Sequence, residues 1–404
     1  RLAEGHKYTF FPSAALSWRI TEEPFMSKVK ALDNLKLRFG YGETGNTSIS
    51  AYETLGSLTR TTYAVGDAGF LGYAPNALIN PGLKWESTAQ YDLGIDFSLW
   101  KGKLSGTVDV YRQNTKDLLL PRQLPIASGF SSITQNIGST RNSGLEVSLS
   151  GVILDTPGGF KWNTDVMFYT NKEEITELYY GKVDDIGNKW FIGKPINTFY
   201  DYKFDGIWQD SEEDKALMAV YNAAGSSYAP GEIRIFDRDD NKKINADDRK
   251  ILGSAVPKWT GSITSNMEYK GFDFSFFLYT RQGQMHYDVM IANHEARYRG
   301  IDVDYWTPLN HSNSWPRPLA GRQEALNYTT LCYQDGSFIK LKTVTLGYTV
   351  PESVLSKLDI RKLRFYVTAQ NPYMYKKCWS QDPESPGLTV PSVKTFMGGL
   401  SVTF

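Results

Sequence analysis

The sequence holds little that would support chemistry. Two cysteines, Cys332 and Cys378, and four histidines, His6, His286, His294 and His311, are spread over 404 residues. Two cysteines cannot build a disulfide scaffold, and neither sits in a C-x-x-C pair. A single bridge between them stays open for an oxidising compartment. His286 and His294 are eight apart, and no H-E-x-x-H occurs, so a catalytic metal is not expected. G-x-S-x-G, the P-loop and a strand-borne G-x-G-x-x-G are also missing. Asp184 and Asp185 are adjacent acids, but a hydrolytic dyad is defined by its separation in space. The chain is therefore not expected to be an enzyme. Lys plus Arg equals Asp plus Glu at 44 each, which leaves no basic footprint for nucleic acid. There is no run of about 18 apolar residues, hence no transmembrane helix. A membrane barrel is untouched by that absence, because its apolar residues alternate. The chain opens RLAEGHKYTF with neither an initiator Met nor a signal peptide, and is expected to be a piece of something longer.

What is present is a period of two. In QYDLGIDFSL, Tyr91, Leu93, Ile95, Phe97 and Leu99 alternate with Gln90, Asp92, Gly94, Asp96 and Ser98. GLEVSLS and KLRFYVTAQ repeat the pattern with Leu145, Val147, Leu149 and with Leu363, Phe365, Val367. Such alternation specifies strands with one apolar and one polar face. Sandwich strands average five to six residues. Here they run to about ten, the length a tilted strand needs to cross a bilayer. Strands are expected near 8–20, 35–44, 86–99, 103–117, 137–152, 159–170, 258–269, 271–282, 335–348, 361–372 and 393–404. Their connections alternate between short (TEEPFMSKVKALDN, the longest of them, then WKGK, DTPGG, YKG and PESVLSKLDI) and long (45–85, 118–136, 171–257, 283–334, 373–392). Outer-membrane barrels separate short periplasmic turns from long extracellular loops in this way. The expected fold is all-β: a transmembrane antiparallel β-barrel, of which 1–404 supplies about eleven C-terminal strands. The ending GGLSVTF, with Phe404 last, suits a final outer-membrane strand.

The chain resembles the SusC/RagA-type TonB-dependent outer-membrane transporters. The matching phrases include FPSAALSWRI, NPGLKWESTAQYDLGIDF, VDVYRQNTKDLLL, NIGSTRNSGLEVSL, FDRDDNKKINADDRKILGSAVPKWTGSI, FIKLKTVTLGYTVP and LRFYVTAQNPY. The resemblance implies a barrel of about 22 strands. It also implies an N-terminal plug domain lying outside this chain, coupling to the TonB complex, and a SusD-like surface lipoprotein as lid. The implied activity is import of a large nutrient, an oligosaccharide first and oligopeptides as the alternative. A rival of another class is an extracellular, calcium-stabilised β-structured binding protein.

Within 171–257 lies DRDDNKKINADD, residues 237–248. Asp237, Asp239, Asn241, the Lys243 carbonyl, Asn245 and Asp248 occupy positions 1, 3, 5, 7, 9 and 12 of a calcium loop. Ile244 fits the apolar anchor at position 8. Lys242 replaces the usual Gly at position 6, and Asp248 replaces a longer Glu, so weak structural calcium binding is expected. An acidic turn neutralised by Lys242 folding inward is the alternative. The flanks GEIRIF and RKILGSAVP do not read as helices, which argues against an EF-hand sensor. Trp190, Trp208, Trp306, Trp315 and Trp379 fall in the long connections. They are candidates for contact with substrate or partner, against loop packing as the ordinary use. Trp18 and Trp100, at strand ends near short turns, suit an interfacial girdle.

Overall fold

A computed structural model of the chain describes residues 2, 4–293, 302–319, 325–355, 360–385 and 390–404. Eleven strands form one antiparallel sheet in chain order. They are β1 (Ser13–Arg19), β2 (Leu32–Asn46), β3 (Glu86–Leu99), β4 (Leu104–Lys116), β5 (Ser139–Asp155), β6 (Lys161–Glu177), β7 (Trp259–Tyr269), β8 (Phe272–Gln282), β9 (Phe338–Thr349), β10 (Lys362–Lys376) and β11 (Thr395–Thr403). The order does not return from β11 to β1, so the sheet is not closed within this chain. Short and long connections alternate along it, as the sequence predicts.

Two compact units divide the chain, one of residues 1–153 and 163–196, the other of 154–162 and 197–404. In the first, Leu93 pairs with Phe39 and Val110 in register, and Ile95 with Leu37 and Val108. Leu93 is 49% exposed and Ile95 40% exposed. Apolar side chains at mid-strand, on a face that nothing covers, are what a lipid-facing surface requires. The opposite face is bonded to itself. Arg38 donates to Asp96 at 3.0 Å and to Asp109 at 2.7 Å. Gln113 donates to Gln90 at 2.6 Å, and Tyr111 to Asn171 at 3.0 Å. Gly94 makes this network possible, because a side chain there would overlap the Arg38 guanidinium and the Asp109 carboxylate.

In the second unit, exposed aromatics mark both ends of the strands. Tyr269 and Phe272 flank the β7–β8 turn, and Tyr373 and Tyr375 lie at the far end of β10. Such paired girdles bracket an apolar band. The hydrophobic cores of this unit lie in the connections. One gathers Ile207, Ile233, Ile235, Ile291, Trp306 and Leu331. The other gathers Trp208, Met218, Tyr221 and Tyr228. A barrel wall has no core of its own, so burial moves to the excursions.

Candidate functional site

The excursion after β6 carries the calcium-type loop. Helix α1 (Glu212–Ala223) starts at Ser211, whose hydroxyl accepts from the Asp214 N–H at 3.2 Å, with three acids in its first turn. Acids there offset the positive helix end. Sequence reading missed α1, although the S-E-E-D start is a usable signal. Its Met218 and Tyr221 pack on Trp208 and Tyr228. Strand Ile233–Ile235 leads into the loop and strand Lys250–Ser254 follows it, so the flanks are not helical. Ile244 packs against both cores, which fixes the middle of the loop.

Asp237, Asp239 and Asp248 each bring an oxygen within 4.8 Å of the other two. Asp248 is 0% exposed. Its carboxylate accepts the Arg238 and Asn245 N–H groups, both at 2.8 Å. Asp237 accepts the Lys242 N–H at 2.8 Å and the Tyr221 hydroxyl at 2.9 Å on one oxygen. Its other oxygen is buried with no partner. Burial pushes the Asp237 carboxyl up, but the Lys242 N–H and Tyr221 hydroxyl outweigh it and hold the group below its ordinary range. An ionised carboxylate with an orphaned oxygen, beside two more carboxylates, fits a divalent cation. Lys242 does not neutralise the trio from within. Its ammonium pairs with Asp240, which holds no ligand position. Lys242 sits at φ 64°, the left-handed conformation that Gly normally takes at this turn.

The amides are less engaged with the trio. The Asn241 side chain donates to Asp239 at 2.7 Å and its oxygen accepts the Lys243 N–H at 2.8 Å. The Asn245 oxygen accepts the Asp247 N–H at 2.7 Å, capping the short turn of Ala246–Asp248. The structure thus brings the three predicted acidic positions together, with the Asn241 amide bonded to one of them.

Of the five tryptophans, Trp208 and Trp306 are buried within the two cores. Aromatic area is better used in burial there. Trp315 is half-buried, with its carbonyl accepting the Trp306 N–H at 3.0 Å. Trp190 is half-buried in a small turn with Asp185. Trp379 is 41% exposed. Cys332 and Cys378 are buried and not joined by a disulfide. His286 is buried 3.9 Å from Asp288. Burial works against its charge, but Asp288 and the Cys378 thiol carry the imidazole up to about 9. His294 lies outside the described residues.

The sequence reading also passed over a cavity of about 840 Å³ on the polar face of the first unit. Gln90, Asp92, Tyr111, Gln113, Asn142 and Asn171 contribute to its lining. Its signal was present in the polar half of the strand alternation.

A family model described as "TonB dependent receptor-like, beta-barrel" matches residues 3–371. The TonB-dependent receptor P3 of Formosa agariphila is 33% identical over all of this chain, which covers 42% of that protein. The TonB-dependent receptor SusC of Bacteroides thetaiotaomicron is 30% identical, again over the whole chain, with 41% of its own length covered. Among solved structures, the RagAB peptide transporter superposes with a TM-score of 0.79 at 25% identity, over 100% of this chain and 44% of that one. The chain belongs to the TonB-dependent receptor β-barrel family, of SusC/RagA type, and is an outer-membrane protein. It spans less than half the length of these relatives.

Proposed function

We propose that the chain forms the C-terminal wall of a TonB-dependent importer that takes a large nutrient across the outer membrane. The observation that carries this is the two-faced sheet, with uncovered apolar side chains on one side and a bonded polar wall on the other. A soluble calcium-stabilised binding protein would have to bury Leu93 and Ile95, so that rival is set aside. Oligosaccharide is the preferred cargo. Amides, carboxylates and phenols along the polar wall match a neutral, hydroxyl-rich ligand, and Arg38 is already held by two aspartates. Peptide is the second reading, favoured by the likeness to the RagAB peptide transporter.

The long segments 171–257 and 283–334 would face a SusD-like lid, and the plug and TonB contact would come from the rest of the polypeptide. The Asp237, Asp239 and Asp248 trio would hold a structural calcium ion that stiffens the first of these segments. No catalysis is required of any residue. The test uses cells carrying the complete transporter. Depletion of neutral oligosaccharides from the medium, abolished by loss of TonB, supports the first reading. Depletion of peptides alone selects the second. No TonB-dependent depletion of either rejects import.

A further inference from the structure

Lys340 lies on β9, and its side chain is 1% exposed. Its neighbour Ile339 is exposed on the apolar face, so alternation turns Lys340 to the polar face. A lysine is almost never fully buried without partners. Here the ammonium donates to Asp382 at 3.2 Å, Glu384 at 2.9 Å and the Ser392 hydroxyl at 2.9 Å. Lys342 adds a bond to Glu384 at 2.6 Å. All three partners of Lys340 belong to the last long connection, between β10 and β11.

The same connection is tied down elsewhere. Lys377 pairs with Asp335 at 3.3 Å, and the Trp379 N–H donates to the Gln334 side chain at 3.2 Å. The Lys376 ammonium gathers the carbonyls of Trp379, Ser380 and Gln381. Cys378, Ser380 and Asp382 are all buried. Burial and bonding of this density belong to a packed element; an exposed loop would share few of these contacts.

We propose that residues 377–385 are a fixed strap laid on the polar face of β9 beside the end of β10, and that Lys340 is the positioning residue that holds it there. On the import reading above, the polar face lines the passage. The strap then narrows that passage permanently on this side and limits the length of cargo admitted. Lys340 touches no cargo. It acts through Asp382 and Glu384.

The clamp and its consequence are tested separately in the complete transporter. Hydrogen exchange in the wild type should protect 377–385 as well as it protects β9. Lys340→Met should speed exchange in the strap at least tenfold while β9 stays unchanged, and Lys340→Arg should restore protection. Wild-type strap exchange as fast as that of Ser57–Val65, a strand outside the main sheet whose nine residues are all exposed, overturns the proposal, whatever the cargo. In cells, depletion of a graded-length mixture of neutral oligosaccharides, and of a graded peptide mixture, should extend to longer members with Lys340→Met and return with Lys340→Arg. An unchanged length limit in a variant whose strap is freed overturns the role in size selection. If the wild type depletes neither mixture, the import reading fails and the exchange result alone decides the clamp.

Discussion

Lys242 shows how far a single residue could be read. The loop spacing marked it as the place where Gly normally turns the chain, and its φ of 64° confirms that the turn is made regardless. A side chain in the left-handed region costs roughly 1 to 2 kcal/mol. Because the turn is already made without an ion, Lys242→Gly is expected to slow hydrogen exchange across residues 237–248 several-fold; if the trio holds calcium, calorimetric titration into the detergent-solubilised protein should show an affinity little changed. Asp248→Asn should abolish the heat, because it removes charge from the most buried member of the trio. What the spacing did not reveal is that Asn241 and Asn245 spend their oxygens on backbone N–H groups. That depends on local turn geometry, which residue identity leaves open.

His286 yields a second expectation at this scale. Its folded pKa, near 9, exceeds the ordinary value of 6.5. The protonated imidazole beside Asp288 therefore contributes stability in full below about pH 6.5, and that contribution is lost as pH rises through 9. The protection factor of amides in the paired segments Met285–Tyr287 and Tyr333–Asp335, which corrects for the base-catalysed intrinsic rate, should fall between pH 7 and 10. His286→Gln should flatten that dependence. An equal fall in the variant would assign the effect to another group.

Among the elements, strand positions were legible and strand lengths only partly so. The expected 86–99 coincides with β3, and 271–282 nearly so with β8. The expected 159–170 stops well short of Glu177, the observed end of β6. Apolar alternation reports only the part of a strand that crosses lipid. Beyond it, NKEEITE remains extended through pairing without an apolar face. The facing assignment is checked by two neighbours on β5. Leu145 pairs with Val110 on the apolar side, while Glu146 is exposed on the other. Leu145→Arg should cost roughly 2 to 4 kcal/mol of membrane insertion near the midplane, and Glu146→Gln almost nothing. Heat-modifiability on gels separates the two, and identical behaviour would reverse the faces.

For the whole molecule, the order of eleven strands followed from a period of two and from connection lengths, both local properties. The cores of the excursions did not. Trp306 bonds Gln209 at 2.9 Å, and the Ile207 N–H bonds Asn313 at 2.7 Å, each across about a hundred residues. No pattern along the chain marks such meetings, which is why five tryptophans looked alike and two proved to be core. If calcium stiffens the loop that these cores embrace, chelation should expose the neighbourhood of Asp237 to trypsin at Arg238 and Lys242. The strands should remain resistant, as read by mass spectrometry of the fragments.

The open ends of the sheet carry a practical consequence. All seven residues of β1 are exposed, and among the described residues β11 bonds only to β10, so in this stretch taken alone each margin leaves amides and carbonyls open to a further strand. Such margins are templates for further strands. Produced by itself in a bacterial cytosol, this stretch of polypeptide would seed inclusion bodies as copies stack margin to margin. Detergent would quiet its greasy face and leave the margins active. Useful material therefore comes from expression with export, so that the strands fold in an envelope.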